Sequence, residues 1–545
     1  MSGSGDGTVV PLPSGLTPWP EKDQERYAAA GHWDGRTLGR LLREWTAAHG
    51  RRLAVVAGGR RLTYRQLDER ADRMAAGLAG LDIRAGDRVL VQLPNSGAFP
   101  VLFFALMRLG AVPVLTLPAH RITEIGHLAR LSEAVAYVIP DEAAGFDYRE
   151  LAAEVVARAP RLRHVLVDGD PGDHTALASV DAEPRDFPEP DASGMALLLV
   201  SGGTTGVPKL IPRTHNDYGY NARASAEACG LDGDTVYLAC LPVAHNFPLA
   251  CPGMLGTFSV GGTVVFSPSP APDAAFPLID EEGVTHTALV PPLIPLWVEA
   301  ARWDTSDLST LEVLQAGGSK LSEKLARTIP GALGCRVQQV FGMAEGLLNY
   351  TRAEDGEDLV AVSQGRPLSE DDELRIVDAD GREVAPGEVG ELLVRGPYTL
   401  RGYYRAPEVN AGSFTPDGFY ASGDLVRRLP SGHLVVEGRV KDTIDRNGES
   451  VSAEEVETHV HTHPLIDRCA AFGLPDGDDG TLICVAYLPA EGAEPVELAA
   501  VRAFLIERGV AAFKLPDRVM AIGDFPLTAI GKIDKRALAR LAEQI

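Results

Sequence analysis

Leu197–Arg213 reads LLLVSGGTTGVPKLIPR. An apolar run ends at Val200, a loop of Ser, Gly and Thr follows, and Pro208-Lys209 leads into a second apolar run. The pattern predicts strand–loop–strand. Such a loop offers backbone N–H groups, the hydroxyls of Ser201, Thr204 and Thr205, and the cation of Lys209, a nest suited to phosphate oxygens. Gly202, Gly203 and Gly206 let a ligand come close to the backbone. This is not a Walker P-loop: Pro208 precedes the lysine and Leu210 follows it, where that motif needs Gly–Lys–Ser/Thr opening a helix. A glycine-rich turn between strands needs no ligand, and this stretch alone leaves both readings open.

Outward from it, short apolar runs alternate with helical patterns. Arg88–Leu93, Val112–Leu117, Val236–Leu241, Gly262–Phe266, Thr287–Val290 and Val313–Gln315 are predicted strands, with helices such as Leu67–Leu78 and Ala98–Leu109 between. Alternation of this kind predicts an α/β fold of layered, largely parallel sheets. From Glu373 the segments LRIVDADGREV, GELLVRGP and GHLVVEGRV predict a small β subdomain. After Arg439 the texture changes again. Ser452 caps a predicted helix with Glu455 at the capping-box position, and strands at Cys484–Leu488 and Arg518–Ile522 flank a helix at Ala499–Arg508. The expected division is a large N-terminal domain over residues 1–438, a hinge at 439–441 and a small mobile α+β lid at 442–545. Residues 1–30, rich in Gly and Pro, read as a loose leader.

A chain of 545 residues, 45% hydrophobic, supports more than one core. Its net charge of −24 argues against a nucleic-acid backbone as partner. The six cysteines form no CxxC pair and read as reduced thiols. The opening MSGSGDGTVVPLPSG has no basic segment before an apolar core, and no stretch is long and apolar enough to span a membrane; a cytoplasmic protein is expected. His459, His461 and His463 alternate toward a helix end at Pro464, which scatters them across faces rather than gathering a metal site.

Further polar islands lie far apart: QQVFGMAEG around Glu345, ASGD ending at Asp424, GRVKD spanning Arg439 and Lys441, and GKIDKR containing Lys532. With SGGTTGVPK they form an ordered set that resembles the adenylate-forming superfamily of acyl-CoA synthetases, adenylation domains and luciferases. LPVAHNFPLACPG and QQVFGMAEGLLNYTR look like aryl-acid–AMP ligases. The resemblance implies ATP-dependent formation of an aryl adenylate with release of pyrophosphate. The aryl group then passes to the phosphopantetheine thiol of an aryl carrier protein, as in siderophore or nonribosomal peptide biosynthesis. An aryl- or acyl-CoA ligase is the alternative. A non-catalytic relative would have no need of Lys532, Glu345 and Asp424 together.

The resemblance also implies roles. Lys532 bridges carboxylate and phosphate. Ser201, Thr204, Thr205 and Lys209 hold the phosphates, and Glu345 ligates Mg²⁺. Asp424 and Arg439 meet the ribose. Gly317, Gly318 and Gln339 lie along the nucleotide, and Lys441 pivots. His245 gates an aryl pocket lined by Asn246, Phe247, Cys251, Gly317, Val340 and Leu348. Gly448-Glu449-Ser450 departs from the family's Gly-Glu-Lys and removes a cation where the carrier approaches. In the family Asn246 would face an ortho hydroxyl. Cys251 and Leu348 stand where 2,3-dihydroxybenzoate ligases commonly carry Ser and Val, and Phe247 where Tyr is usual. A less polar pocket predicts salicylate, or a ring-alkylated salicylate, over 2,3-dihydroxybenzoate.

Overall fold

A computed structural model describes residues 15–201, 208–446, 449–475, 481–508, 510, 514–528 and 531–544, with 441, 445, 446, 449 and 450 described by backbone alone. Both strands expected around the Gly-rich loop form. Met195–Val200 and Leu210–Thr214 pair antiparallel, and this hairpin forms one edge of a seven-stranded sheet. The strands beyond it, Val112–Leu115, Arg88–Val91, Ala136–Pro140 and His164–Asp168, run parallel. They are apolar on both faces because helices cover both sides. Ala98–Leu109 is one such helix, buried at every residue but the first.

A nine-stranded sheet carries the rest of the core. Its centre, Arg336–Gly342, Val313–Gly317, His286–Leu289, Val236–Ala239, Thr263–Phe266 and Leu53–Ala57, is parallel throughout. Parallel strands bring their carboxyl ends to one edge, where ligand sites of open α/β sheets form. A four-stranded antiparallel sheet follows, ending in Tyr420–Arg428 and Leu434–Arg439, which is the expected β subdomain.

Beyond Arg439 the chain makes a short 3₁₀ turn, Val440–Asp442, then a hairpin of Thr443–Arg446 with Glu449–Ser452. Ser452 caps the helix Ala453–Val460 by accepting from Glu455 N–H at 3.3 Å, and its own hydroxyl donates to Glu437 O at 3.0 Å. A three-stranded sheet follows, of Ile466–Pro475, Thr481–Pro489 and Arg518–Ala521. Its first strand carries no strong sequence signal and is an addition to the expected elements.

The leader is a correction. Residues 21–29 form a helix, and Tyr27 and Trp19 are buried. Trp33 packs edge-on against Trp19 with ring centroids 5.3 Å apart, and its indole N–H donates to Pro397 O at 2.9 Å. Burial of three aromatic rings outweighs a Pro- and Gly-rich composition. Residues 1–14 lie outside the described residues. The helix Ala453–Val460 stops before the second of the three histidines, and among the described residues no group of His, Cys, Asp or Glu could hold a metal. All six cysteines are free, and no helix among the described residues is long and apolar enough to cross a membrane.

Candidate active site

At the carboxyl edge of the nine-stranded sheet lies a cavity with Leu241, Pro242, Phe247 and Val290 as its apolar wall and His245, Gly318 and Lys532 completing it. Two glycines make room. At Gly317 a Cβ would meet Val340 O at 2.8 Å and Phe247 Cζ at 3.0 Å, so only glycine lets that ring lie on the strand. Gly318 has φ +91° and would press Val290 at 3.2 Å. Lys532 arrives from the C-terminal module on a tight turn: Thr528 N–H donates to Lys532 O at 2.6 Å, and Lys532 N–H to Thr528 Oγ1 at 3.1 Å.

His245 caps the helix Asn246–Ala250, its Nδ1 accepting from Phe247 N–H at 3.2 Å, which leaves the ring proton on Nε2. Burial, aided by the Lys532 ammonium, pushes its pKa down to about 4. The imidazole is neutral at pH 7. Behind it the Asn246 amide is held on both sides. Its Oδ1 accepts from Tyr218 Oη at 2.8 Å, and its Nδ2 donates to Cys251 Sγ at 3.3 Å. Burial pushes the Cys251 thiol up to about 12, so it stays protonated.

A polar cluster lies at the hairpin. Ser201 N–H donates to Lys209 O at 2.9 Å and Lys209 N–H to Ser201 Oγ at 3.0 Å, closing the neck of the loop. The Lys209 ammonium sits 4.4 Å from the Tyr403 ring centroid. Tyr403 Oη donates to Glu345 Oε1 at 2.8 Å and lies 2.9 Å from Tyr420 Oη. Arg439 Nε donates to the buried Asp424 Oδ1 at 2.7 Å. Burial raises the Tyr420 phenol, as do Glu345 and Asp424, which places all of these groups within one electrostatic neighbourhood. Two cations, two carboxylates and phenol hydroxyls beside the neck closed by Ser201 and Lys209 suit a polyanion bearing a diol. A single carboxylate suits Mg²⁺, which takes most of its ligands from phosphate oxygens and water.

The family model "AMP-binding enzyme" matches residues 42–404, and "AMP-binding enzyme C-terminal domain" matches residues 455–532. The chain belongs to the AMP-binding enzyme family. The chain is 52% identical to the 2,3-dihydroxybenzoate-AMP ligase of Bacillus subtilis, over 96% of its own length and 97% of that protein. It is 53% identical to the salicyl-AMP ligase / salicyl-S-ArCP synthetase of Mycobacterium tuberculosis, over 96% and 94%. The apo structure of Mycobacterium smegmatis MbtA superposes with a TM-score of 0.76 at 53% identity, over 97% of this chain and 99% of that one. As a member of this AMP-binding family the protein is an ATP-dependent ligase.

Most of the expected residues gather in two places. His245, Phe247, Gly318 and Lys532 meet in the cavity, with Gly317 and Val340 directly beneath Phe247. Ser201, Lys209, Glu345, Asp424 and Arg439 belong to the polar cluster. Thr204 and Thr205 lie outside the described residues, as does Gly448, and of Lys441 only the backbone is described. Gln339 donates its amide to Val360 O at 2.6 Å and accepts from Gln364 Nε2 at 3.1 Å, so its side chain ties the strand Arg336–Gly342 to the helix Glu357–Val362. Leu348 is buried with its side chain against Gly342, and it is not among the residues lining the cavity. Sequence reasoning missed Tyr403 and Tyr420. Their signals are slight: one lies in RGYYR, the other two residues before Ser422-Gly423-Asp424.

Proposed function

We propose that the protein activates an o-hydroxylated aryl acid with ATP, releasing pyrophosphate. It then transfers the aryl group from the adenylate to the phosphopantetheine thiol of an aryl carrier protein. One observation carries this reading: the ammonium of Lys532 beside a neutral histidine, at the mouth of an apolar cavity. Attack of a carboxylate on the α-phosphate brings two anions together, and the transition state needs positive charge fixed in place. Lys532 supplies it to carboxylate and phosphate oxygens. The neutral His245 adds no competing charge. Lys209 holds phosphate oxygens, and Asp424, oriented by Arg439, accepts from ribose hydroxyls. Mg²⁺ at Glu345 would neutralise the triphosphate when bound. The names of the Bacillus and Mycobacterium relatives support an aryl acid, and the second supports delivery to a carrier. In this reading residues 1–438 bind the substrates, residues 439–441 are the hinge, and residues 442–545 form the lid that carries Lys532, in the cytoplasm.

Salicylate is the proposed acid. Cys251 already donates its thiol proton to Asn246 O at 3.3 Å and receives the Asn246 amide on sulfur. A 3-hydroxyl would find only a weak acceptor there. The test is kcat/KM in ATP–pyrophosphate exchange with salicylate, 6-methylsalicylate, 2,3-dihydroxybenzoate and benzoate, followed by loading of a carrier protein against free CoA. Salicylate should lead 2,3-dihydroxybenzoate by up to about 100-fold, since apolar pockets reject an added hydroxyl only modestly. Preference for the dihydroxylated acid, or faster loading of CoA than of carrier, overturns the corresponding half of the proposal.

A further inference from the structure

We infer that Asn95, which does not itself line the cavity, is a positioning residue for it: its amide straps the loop of residues 240–245, which brings Leu241, Pro242 and His245 to the cavity wall, and so governs the hold on the aryl acid while leaving ATP binding alone. The inference rests on the function proposed above in taking an aryl acid as the cavity's occupant.

Asn95 follows the strand Arg88–Val91 of the seven-stranded sheet, and its side chain reaches across to the nine-stranded one. Its Nδ2 donates to Ala239 O at 2.9 Å, Leu241 O at 3.0 Å and Ser267 O at 3.1 Å. Its Oδ1 accepts from Val243 N–H at 2.8 Å. Carbonyls on one side and an N–H on the other leave the amide one orientation, since a reversed amide would set its oxygen against carbonyl oxygens. Ala239 ends the strand Val236–Ala239, and Ser267 follows its parallel neighbour Thr263–Phe266, so the strap lies at the carboxyl edge where the cavity forms.

The strap fixes a turn. Leu241 and Val243 bracket Pro242, which has no N–H with which to hold itself. Pro242 O in turn accepts from His245 N–H at 2.9 Å, and His245 caps the helix that carries Phe247. The hold of one amide therefore passes to Leu241, Pro242, His245 and Phe247, all of them on the cavity wall.

The two sheets do not depend on Asn95 to stay together. Val89, Val91 and Leu115 of one share an apolar core with Leu238, Val264 and Val265 of the other. Apolar burial is non-directional, so it joins the layers without setting the path of a loop. Hydrogen bonds are directional and set it. The polar cluster of Lys209, Glu345 and Asp424 stands on other elements, which spares the ATP side.

The test compares the full-length wild type with Asn95→Ala in ATP–pyrophosphate exchange with salicylate and with 2,3-dihydroxybenzoate. Loss of the strap should raise KM for the acid the wild type prefers by about tenfold or more, while KM for ATP stays within about threefold. The second readout is nuclear magnetic resonance titration of two histidines, His245 and His286, each held down at about 4 chiefly by burial. His286 begins the strand His286–Leu289 and lies at the opposite, amino edge of the sheet. A loosened turn admits water to His245 and should raise its pKa, with His286 unmoved. The inference is overturned if both KM values rise alike, if His245 titrates as in the wild type, or if the two histidines shift together. Should Asn95→Ala not fold, Asn95→Ser, whose hydroxyl still donates to one carbonyl, is read in the same way. If the wild type exchanges pyrophosphate with neither acid, the proposed function falls, and the histidine titrations alone decide the inference.

Discussion

His245 and Lys532 come from distant parts of the chain and meet at one cavity, where each changes what the other can do. Burial together with the ammonium keeps the imidazole uncharged at pH 7, and the uncharged ring leaves Lys532 as the cation facing it across the cavity. Lys532→Ala should lower pyrophosphate exchange by about 10²–10³, the usual loss when a preorganised charge-stabilising donor is removed. ATP binding should stay within a few-fold, because Ser201, Lys209, Glu345 and Asp424 belong to other elements. The His245 pKa should rise from about 4 as the cation leaves, yet stay below the usual histidine range because burial is its larger cause. Nuclear magnetic resonance titration of the ring together with exchange kinetics checks both. An exchange rate within threefold of wild type removes Lys532 from the mechanism.

The helix Ala453–Val460 docks against the N-terminal part of the chain through its first turn. Lys320, three residues past Gly317, reaches Glu454 at 3.3 Å and Glu437 at 3.6 Å, and Lys535 pairs with Glu457 at 2.6 Å. Burial raises the Glu454 carboxyl to about 7 against the pull of Lys320 and Lys535, with Glu457 adding to the rise. The docked arrangement therefore favours the protonated acid. Its contribution is complete below the ordinary Glu range and fades as pH rises through about 7. Undocking of this helix should increase between pH 5 and pH 7 and level off above that, and Glu454→Gln should flatten that dependence. Limited proteolysis across residues 440–452 measures it, read as wild type against variant at each pH so that the protease's own profile cancels. An unchanged slope in the variant assigns the titration to another group.

At the scale of the whole molecule, the proposed function asks one site to serve two half-reactions. Lys532 lines the cavity in this arrangement, and under that proposal a thiol delivered by a carrier needs a path of its own. The 3₁₀ turn Val440–Asp442 joins the β subdomain to the C-terminal hairpin, and a few residues at such a junction absorb the dihedral change of a domain rotation. Lys441→Pro restrains φ near −65° and removes an N–H. Pyrophosphate exchange should be largely kept while carrier loading falls by an order of magnitude or more. Equal loss in both half-reactions counts against a hinge at residues 439–441.

Local patterns by themselves determined much of this protein. The strand–loop–strand of Leu197–Arg213, the alternating α/β layers, the antiparallel subdomain from Glu373 and the change of texture after Arg439 were all legible, because hydrophobic period and turn chemistry act over a few residues. His245, Glu345, Asp424 and Lys532 stood out for a different reason, the ordered motifs that resemble the adenylate-forming superfamily. Tertiary structure alone decided which side chains face the site. Gln338 and Gln339 are adjacent in QQVFG, but successive residues of a strand point to opposite faces. The first therefore bonds Gln315 on one face of the sheet and the second ties the strand to a helix on the other. Leu348 packs on Gly342, and Trp33, with Trp19 and Tyr27 packed against its ring, is tied to Pro397, hundreds of residues away. Tyr403 and Tyr420 carry only a slight local mark of function. Their roles come from contacts between separate elements, and such contacts exist only once the sheets have packed.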